Sequence, residues 1–296
     1  MTVLVCSCDK YEDTWQTFAK LLKKYWPDFD YRLILNTESK NFEYDGLSFE
    51  TFNLYESGQN VDYGERIRAH LKRITTPYTL LLLDDFFIRE PVDTKKIKEI
   101  IGYMDNDPAI ATFNFDFIAD PHNKEAPYPG FILRPEVCQY KLNMQAGIWR
   151  TDVLYDLWRD SDSPWVWELY GTCRSFNNKY KYYCLSDLSF SPIKYGKEKV
   201  LFGVFKGKWI KDDVCPLFEK EGIEIDLEKR GFYTDDCKSF VLGGNHSDRI
   251  KTACKALPKK YFVLWLRLSL KNKIKQRTSN NDTEDFIDYL IHRKYK

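Results

Sequence analysis

Residues 78–88 read Tyr78-Thr79-Leu80-Leu81-Leu82-Leu83-Asp84-Asp85-Phe86-Phe87-Ile88. The run up to Leu83 follows Thr76-Pro77, which stops a preceding helix, and has the length and texture of a strand covered on both faces, as central strands of parallel sheets are. Phe86-Phe87-Ile88 behind the acids argues against a solvated turn. Buried carboxylates need a cation or hydrogen bonds to offset their desolvation. Mg²⁺ and Mn²⁺ favour carboxylate oxygens together with phosphates and water. Asp84 and Asp85 are therefore expected to hold a divalent metal, with Asp85 the direct ligand.

Outward from this strand, elements alternate. Residues 3–5 are a short β-branched run, and Trp15, Phe18, Leu21, Leu22 and Tyr25 follow at helical spacing before Pro27. Extended stretches are expected at 31–35 and 47–54, and a helix over 62–74 carries Ile67, Leu71 and Ile74 on one face. Beyond the acids the pattern predicts a helix at 97–104, a strand at 109–115, a Pro-rich loop at 120–130, helices at 151–159 and 165–176, and extended chain from 180 to 205. Residues 206–254 read as loops. Strands alternating with helices predict a doubly wound α/β sheet, whose ligands bind beyond the carboxyl ends of the strands.

The 296 residues suffice for a sizeable core. With 8 Trp, 20 Tyr and 20 Phe the chain is rich in rings that fill cores and also stack on the C–H faces of sugars. The 8 Cys form no C-x-x-C pair, which reads as reduced thiols and argues against zinc. The amino end has neither a basic region nor a long apolar one, so a cytoplasmic chain is expected. The formal net charge of +1 hides an asymmetry: residues 255–296 carry 11 Lys/Arg against 4 Asp/Glu, so residues 1–254 keep 34 basic and 40 acidic residues.

The segment from Leu80 to Phe87 resembles the metal motif of GT-A fold nucleotide-sugar-dependent glycosyltransferases, of the type that builds bacterial capsule and lipopolysaccharide O-antigen. It has the Leu-Asp-Asp form rather than the fuller Asp-x-Asp. The resemblance implies a Rossmann-like, mostly parallel sheet flanked by helices, with a catalytic domain over 1–254 and a basic, helical C-terminal extension over 255–296. Within the domain, 1–90 would be the nucleotide-binding half and 91–254 the acceptor-binding half. Ser7, Cys8 and Asp9 are similar to the first nucleotide-binding loop of that fold, and Arg68 stands where many inverting members carry an arginine for the diphosphate. Gln145 to Arg150 looks like the segment that frames the acceptor, with Gln145 and Gly147 beside it and Trp149 as stacking platform. Glu168, after Pro164-Trp165-Val166-Trp167, is the implied general base and Asp152 its alternative.

By this resemblance the chain is a hexosyltransferase that uses Mn²⁺ or Mg²⁺ and inverts configuration. It would move a sugar from a nucleoside-diphosphate donor, UDP first, to a glycan or lipid-linked oligosaccharide acceptor. Residues 255–277, basic and enclosing an apolar run too short to span a bilayer, either lie on an anionic membrane surface or pack on the domain. No nucleic-acid motif is present. His246, in a Gly-rich stretch, is left outside the metal set. The rivals are a sugar-phosphate nucleotidyltransferase, whose Gly-rich first loop is lacking in Cys6-Ser7-Cys8-Asp9, a metal-dependent phosphoesterase, which 4 His serve poorly, and a non-catalytic glycan-binding or membrane adaptor.

Overall fold

The computed structural model describes residues 1–234 apart from 121, 139, 177 and 197–199. β1 (Thr2–Cys6) leads through a single 3-10 turn into α1 (Glu12–Tyr25), followed by β2 (Arg32–Asn36) and the short β3 (Phe49–Glu50). α2 (Tyr63–Leu71) returns the chain to β4 (Tyr78–Leu83), and α3 (Thr94–Asn106) brings it to β5 (Ile110–Asn114). Next come β6 (Lys124–Glu125), β7 (Phe131–Leu133), β8 (Gly147–Arg150), α4 (Thr151–Leu157), α5 (Pro164–Leu169) and β9 (Lys181–Leu185). A hairpin of β10 (Val204–Phe205) and β11 (Lys208–Trp209) precedes α6 (Lys211–Glu221).

Nine strands form one sheet in the order β3-β2-β1-β4-β8-β5-β9-β7-β6. Only β8 and β7 run against the others, so the protein is a mixed α/β fold with a largely parallel central sheet flanked by helices. Successive side chains of a strand point to opposite faces. Val3, Val5, Leu80 and Leu82 meet Trp15, Phe18, Ile97 and Ile100 on one face. Leu4, Cys6 and Leu81 meet Ile67, Leu71, Leu154 and Trp167 on the other. This two-sided cover is what the unbroken leucine run requires. The chain leaves β1 outward to β2 and β3, then crosses back to place β4 on the far side of β1. Doubly wound sheets carry their ligand crevice at such a reversal, and residues 7–9 and 84–85 lie there, at the carboxyl ends of β1 and β4.

Several expectations are corrected. Only Phe49–Glu50 of 47–54 pairs in the sheet, and of 180–205 only Lys181–Leu185 and Val204–Phe205 are strand. The helix expected over 165–176 ends at Leu169 and continues as a 3-10 turn over Gly171–Ser175, as a glycine after a helix end favours. β6 starts inside the loop expected at 120–130, and the loops expected from 206 hold β11 and α6. Trp149 is no platform: it is fully buried beneath β8, 6.2 Å from the Trp167 ring. As the third residue of β8, paired with Thr79 and Thr112, its side chain is fixed on the covered face.

The boundary at 254, the basic extension over 255–296, its membrane contact and His246 lie outside the described residues. Among the described residues no helix is long and apolar enough to cross a membrane.

Trp149→Ala is expected to lower unfolding free energy by about 3–5 kcal/mol, read as a fall in the urea midpoint. Trp165→Ala, at a site 46% exposed, is expected to move it by less than about 0.5 kcal/mol.

Candidate functional site

The register that sets Cys6 beside Leu83 carries the next residues, Ser7 and Asp84, to adjoining strand ends. The Ser7 hydroxyl donates to Asp84 Oδ2 at 2.5 Å, and Trp15 Nε1 donates to the Ser7 oxygen at 2.7 Å. The Thr14 hydroxyl lies 2.9 Å from the same carboxylate oxygen. Asp84 is buried, and burial lifts its carboxyl to about 6 in spite of these donors. Asp85 is partly exposed and has no side-chain partner among the described residues. Burial first, and then the charge of Asp84, raise its carboxyl well above the usual range. Behind it, the Gly203 amide donates to the Asp85 carbonyl at 2.6 Å. A Cβ at residue 203 would come within 2.4 Å of the Phe87 ring, so this close approach requires glycine.

Two adjoining carboxylates, one held by hydroxyls and one free, suit a divalent cation that completes its shell with phosphate and water. Among the described residues no group of three or more His, Cys, Asp or Glu could hold a metal.

Around this pair the expected nucleotide residues are placed unevenly. Cys8 is half-buried, its thiol pushed up to about 11 by burial and by Glu38. The Asp9 carboxylate accepts from the Ser39 hydroxyl at 2.7 Å and from the Glu38 amide at 3.0 Å, while its own amide donates to Glu38 Oε2 at 2.5 Å. Asp9 thus clasps the loop after β2. Arg68 is turned elsewhere: it donates to the carbonyls of Tyr155 and Trp158 at 2.9 and 3.0 Å, pairs with Asp160 at 2.7 Å and stacks on Tyr155. The arginine of α2 that lies near residues 7–9 is Arg66, buried and bound to Glu38, and its charge reaches Cys8. Arg230, which sequence reasoning missed, stacks 4.2 Å over the Tyr11 ring, pairs with Asp13 and acts on both Asp84 and Asp85.

The second half of the site lies at the same sheet edge across β8. Gly147 stands opposite Leu81, so residues 144–146 arrive beside the acid end of β4. A Cβ at Gly147 would sit 2.6 Å from Asn114 Oδ1, and this glycine serves the close packing of β8 on β5. The Gln145 amide donates to Asn143 Oδ1 at 3.0 Å, and the Met144 amide donates to Glu168 Oε1 at 2.9 Å. Burial raises the Glu168 carboxyl; the Met144 amide opposes this and the charge of Asp116 adds to it. Asp116, two residues beyond β5, also escaped sequence reasoning. It is buried, accepts from Asn143 Nδ2 at 3.1 Å through Oδ2, and has no hydrogen-bond partner for Oδ1. Asp152 is corrected: α4 starts where β8 ends, against Thr76 and Pro77 at the amino end of β4. The six residues of β4 separate it from Asp84 by about 20 Å.

No protein-family model and no curated protein matches the sequence. Among solved structures the chain is similar to residues 1–349 of S. aureus TarS, with 14% identity, 88% of this chain and 81% of that chain covered, and a TM-score of 0.42. The same TarS fragment in complex with UDP gives 14% identity, 88% and 82% coverage and a TM-score of 0.39. A longer TarS structure gives 13%, 88%, 49% and 0.41.

Burial lifts the Asp116 carboxyl to about 6, against 3.8 for an unperturbed one. Between these values the native state holds a proton that the unfolded chain has released, so this group's contribution to stability is full below 3.8 and lost as pH rises through 6. Asp116→Asn keeps an acceptor for Asn143. Relative to wild type it is expected to be about 2 kcal/mol more stable at about pH 8 than at about pH 4 in urea unfolding. Equal differences at the two pH values would contradict this.

Proposed function

We propose that this protein is a nucleotide-sugar-dependent glycosyltransferase that moves a sugar from a nucleoside diphosphate, UDP first, to a hydroxyl of a glycan acceptor with inversion. The observation that carries the reading is the placement of Asp84 and Asp85 side by side at the carboxyl ends of β1 and β4, with a third carboxylate, Glu168, held by the Met144 amide at the same sheet edge across β8. Sites that run acid, base and metal chemistry separate their carboxylates in this way.

Asp85, backed by Asp84, would hold Mg²⁺ or Mn²⁺, which supplies positive charge to the departing diphosphate. Ser7, Thr14 and Trp15 fix the orientation of Asp84. Arg230 adds fixed positive charge at the same mouth. Glu168, kept a stronger base than a solvated carboxylate, takes the acceptor hydroxyl proton as that oxygen bonds to the sugar C1 and the C1–O bond to the diphosphate breaks. The acceptor's lipid linkage and a role in surface polysaccharide assembly belong to the same proposal.

UDP with Mn²⁺ is expected to raise the melting temperature, by an amount corresponding to about 2.7 kcal/mol at a hundredfold excess over Kd. Asp85→Asn should lose the Mn²⁺-dependent part of the shift, and Arg230→Ala should weaken UDP binding about tenfold. Glu168→Gln should keep the shift yet lower kcat about 100- to 10,000-fold in a UDP-release assay with a UDP-sugar. Full turnover by Asp85→Asn would count against the reading.

A further inference from the structure

Three of the exposed large apolar side chains fall on the segments that carry one small polar cluster. Phe117 follows Asp116 directly and is 45% exposed; Tyr140 is 37% exposed and close enough to feel the charge of Glu168; Trp165 is 46% exposed and one helical turn before Glu168 on α5. Residues three apart on a helix are surface neighbours, so Trp165 and Glu168 share a face. Single exposed rings need no explanation, but several rings around convergent polar groups do. Tyr140 also holds a φ of 50°, left-handed backbone that a bulky residue adopts at a cost.

The polar centre is built rather than incidental. Asn143 Nδ2 donates to Asp116 Oδ2 at 3.1 Å and lies 3.4 Å from the Tyr140 carbonyl, while Asn143 Oδ1 accepts from the Gln145 amide at 3.0 Å. Adjacent residues of one segment thus hold the two acids: Asn143 holds Asp116, and Met144 holds Glu168. Asp116 Oδ1, buried without a hydrogen-bond partner, is a group that folds rarely leave so unless a site needs it.

We propose that Tyr140 and Trp165, flanking Glu168, form a binding subsite for a pyranoside, and that Asp116 is its positioning residue, acting through Asn143. Flat rings match the C–H faces of a pyranose, and Glu168 and the Gln145 side chain supply groups for its hydroxyls. A peptide or a lipid tail would use the rings but not the convergent carboxylate and amides. The subsite lies across β8 from Asp84 and Asp85, as an acceptor would relative to a donor held at those acids. This inference rests on the glycosyltransferase reading for its direction only, since pyranoside binding is measurable by itself.

The test uses the full chain, saturated with UDP and Mn²⁺, and three probes: methyl β-D-glucopyranoside, methyl α-D-galactopyranoside and methyl N-acetyl-β-D-glucosaminide. Saturation-transfer NMR follows binding. Wild type is expected to bind at least one probe, Trp165→Ala and Tyr140→Ala to weaken that binding at least tenfold, and all three proteins to keep the same UDP-induced melting shift. Asp116→Ala should weaken the probe likewise, and Asp116→Asn, which still accepts from Asn143, should restore it. Equal probe binding by Trp165→Ala, Tyr140→Ala and wild type overturns the subsite, and so does the absence of binding to all three probes. Loss of binding in Asp116→Ala without rescue in Asp116→Asn overturns the positioning role. Probe binding without any UDP shift would leave the subsite standing and overturn the glycosyltransferase reading instead.

Discussion

The hydrogen bond from Ser7 to Asp84 ties together the two strand ends between which the crevice opens. Its existence depends on the parallel register of β1 and β4, and that register depends on leucines and valines covered on both sides of the sheet. The hydroxyls of Ser7 and Thr14, with the Trp15 indole behind Ser7, offset part of the desolvation of Asp84. They do nothing for Asp85. The pair is therefore only partly compensated, since Arg230, whose charge reaches both acids, is also paired with Asp13. Incomplete pairs of this kind attract a cation far more strongly than two solvated aspartates would.

Two sets of carboxylates share the edge, and β8 separates them. On one side the charge of Asp84 raises Asp85, and on the other that of Asp116 raises Glu168. The first set faces a crevice that loops from β1 and α1 close, and the second is walled by aromatic rings. A single field of four acids would attract cations indiscriminately. In the proposed reaction, division by a strand would leave one set to hold the cation and the other to supply the base.

The first half of the fold was legible because its signals are local. The run 78–83, its acids and the helical spacing of Trp15, Phe18, Leu22 and Tyr25 each depend on neighbours within a few residues. Of the elements from β6 onward, α4 and β9 were legible, but the short strands β6 to β8 were not, because β7 and β8 have only three and four residues and owe their pairing to distant strands. Trp149 shows the limit: an aromatic residue near a site reads the same in sequence whether it faces a ligand or a core, and only the register decides. Arg68 and Arg66 differ by two positions on α2, which is enough to turn one toward α4 and the other toward Glu38. Asp116 and Arg230 carried no local mark, since their partners lie 27 and 217 residues away.

The antiparallel strand β8 has a consequence for how such a protein can diversify. β1 to β4 form one contiguous block of parallel strands in the order β3-β2-β1-β4, so the edge that carries residues 7–9 and 84–85 is built from the first third of the chain alone. The opposite bank is stitched from segments around residues 116, 140, 143 and 168, which meet only because β8 is wedged between β4 and β5. Loops on that bank can drift in length and side chain while the wedge holds its place. A lineage built on this plan is free to change what it recognises on one bank without renegotiating the other.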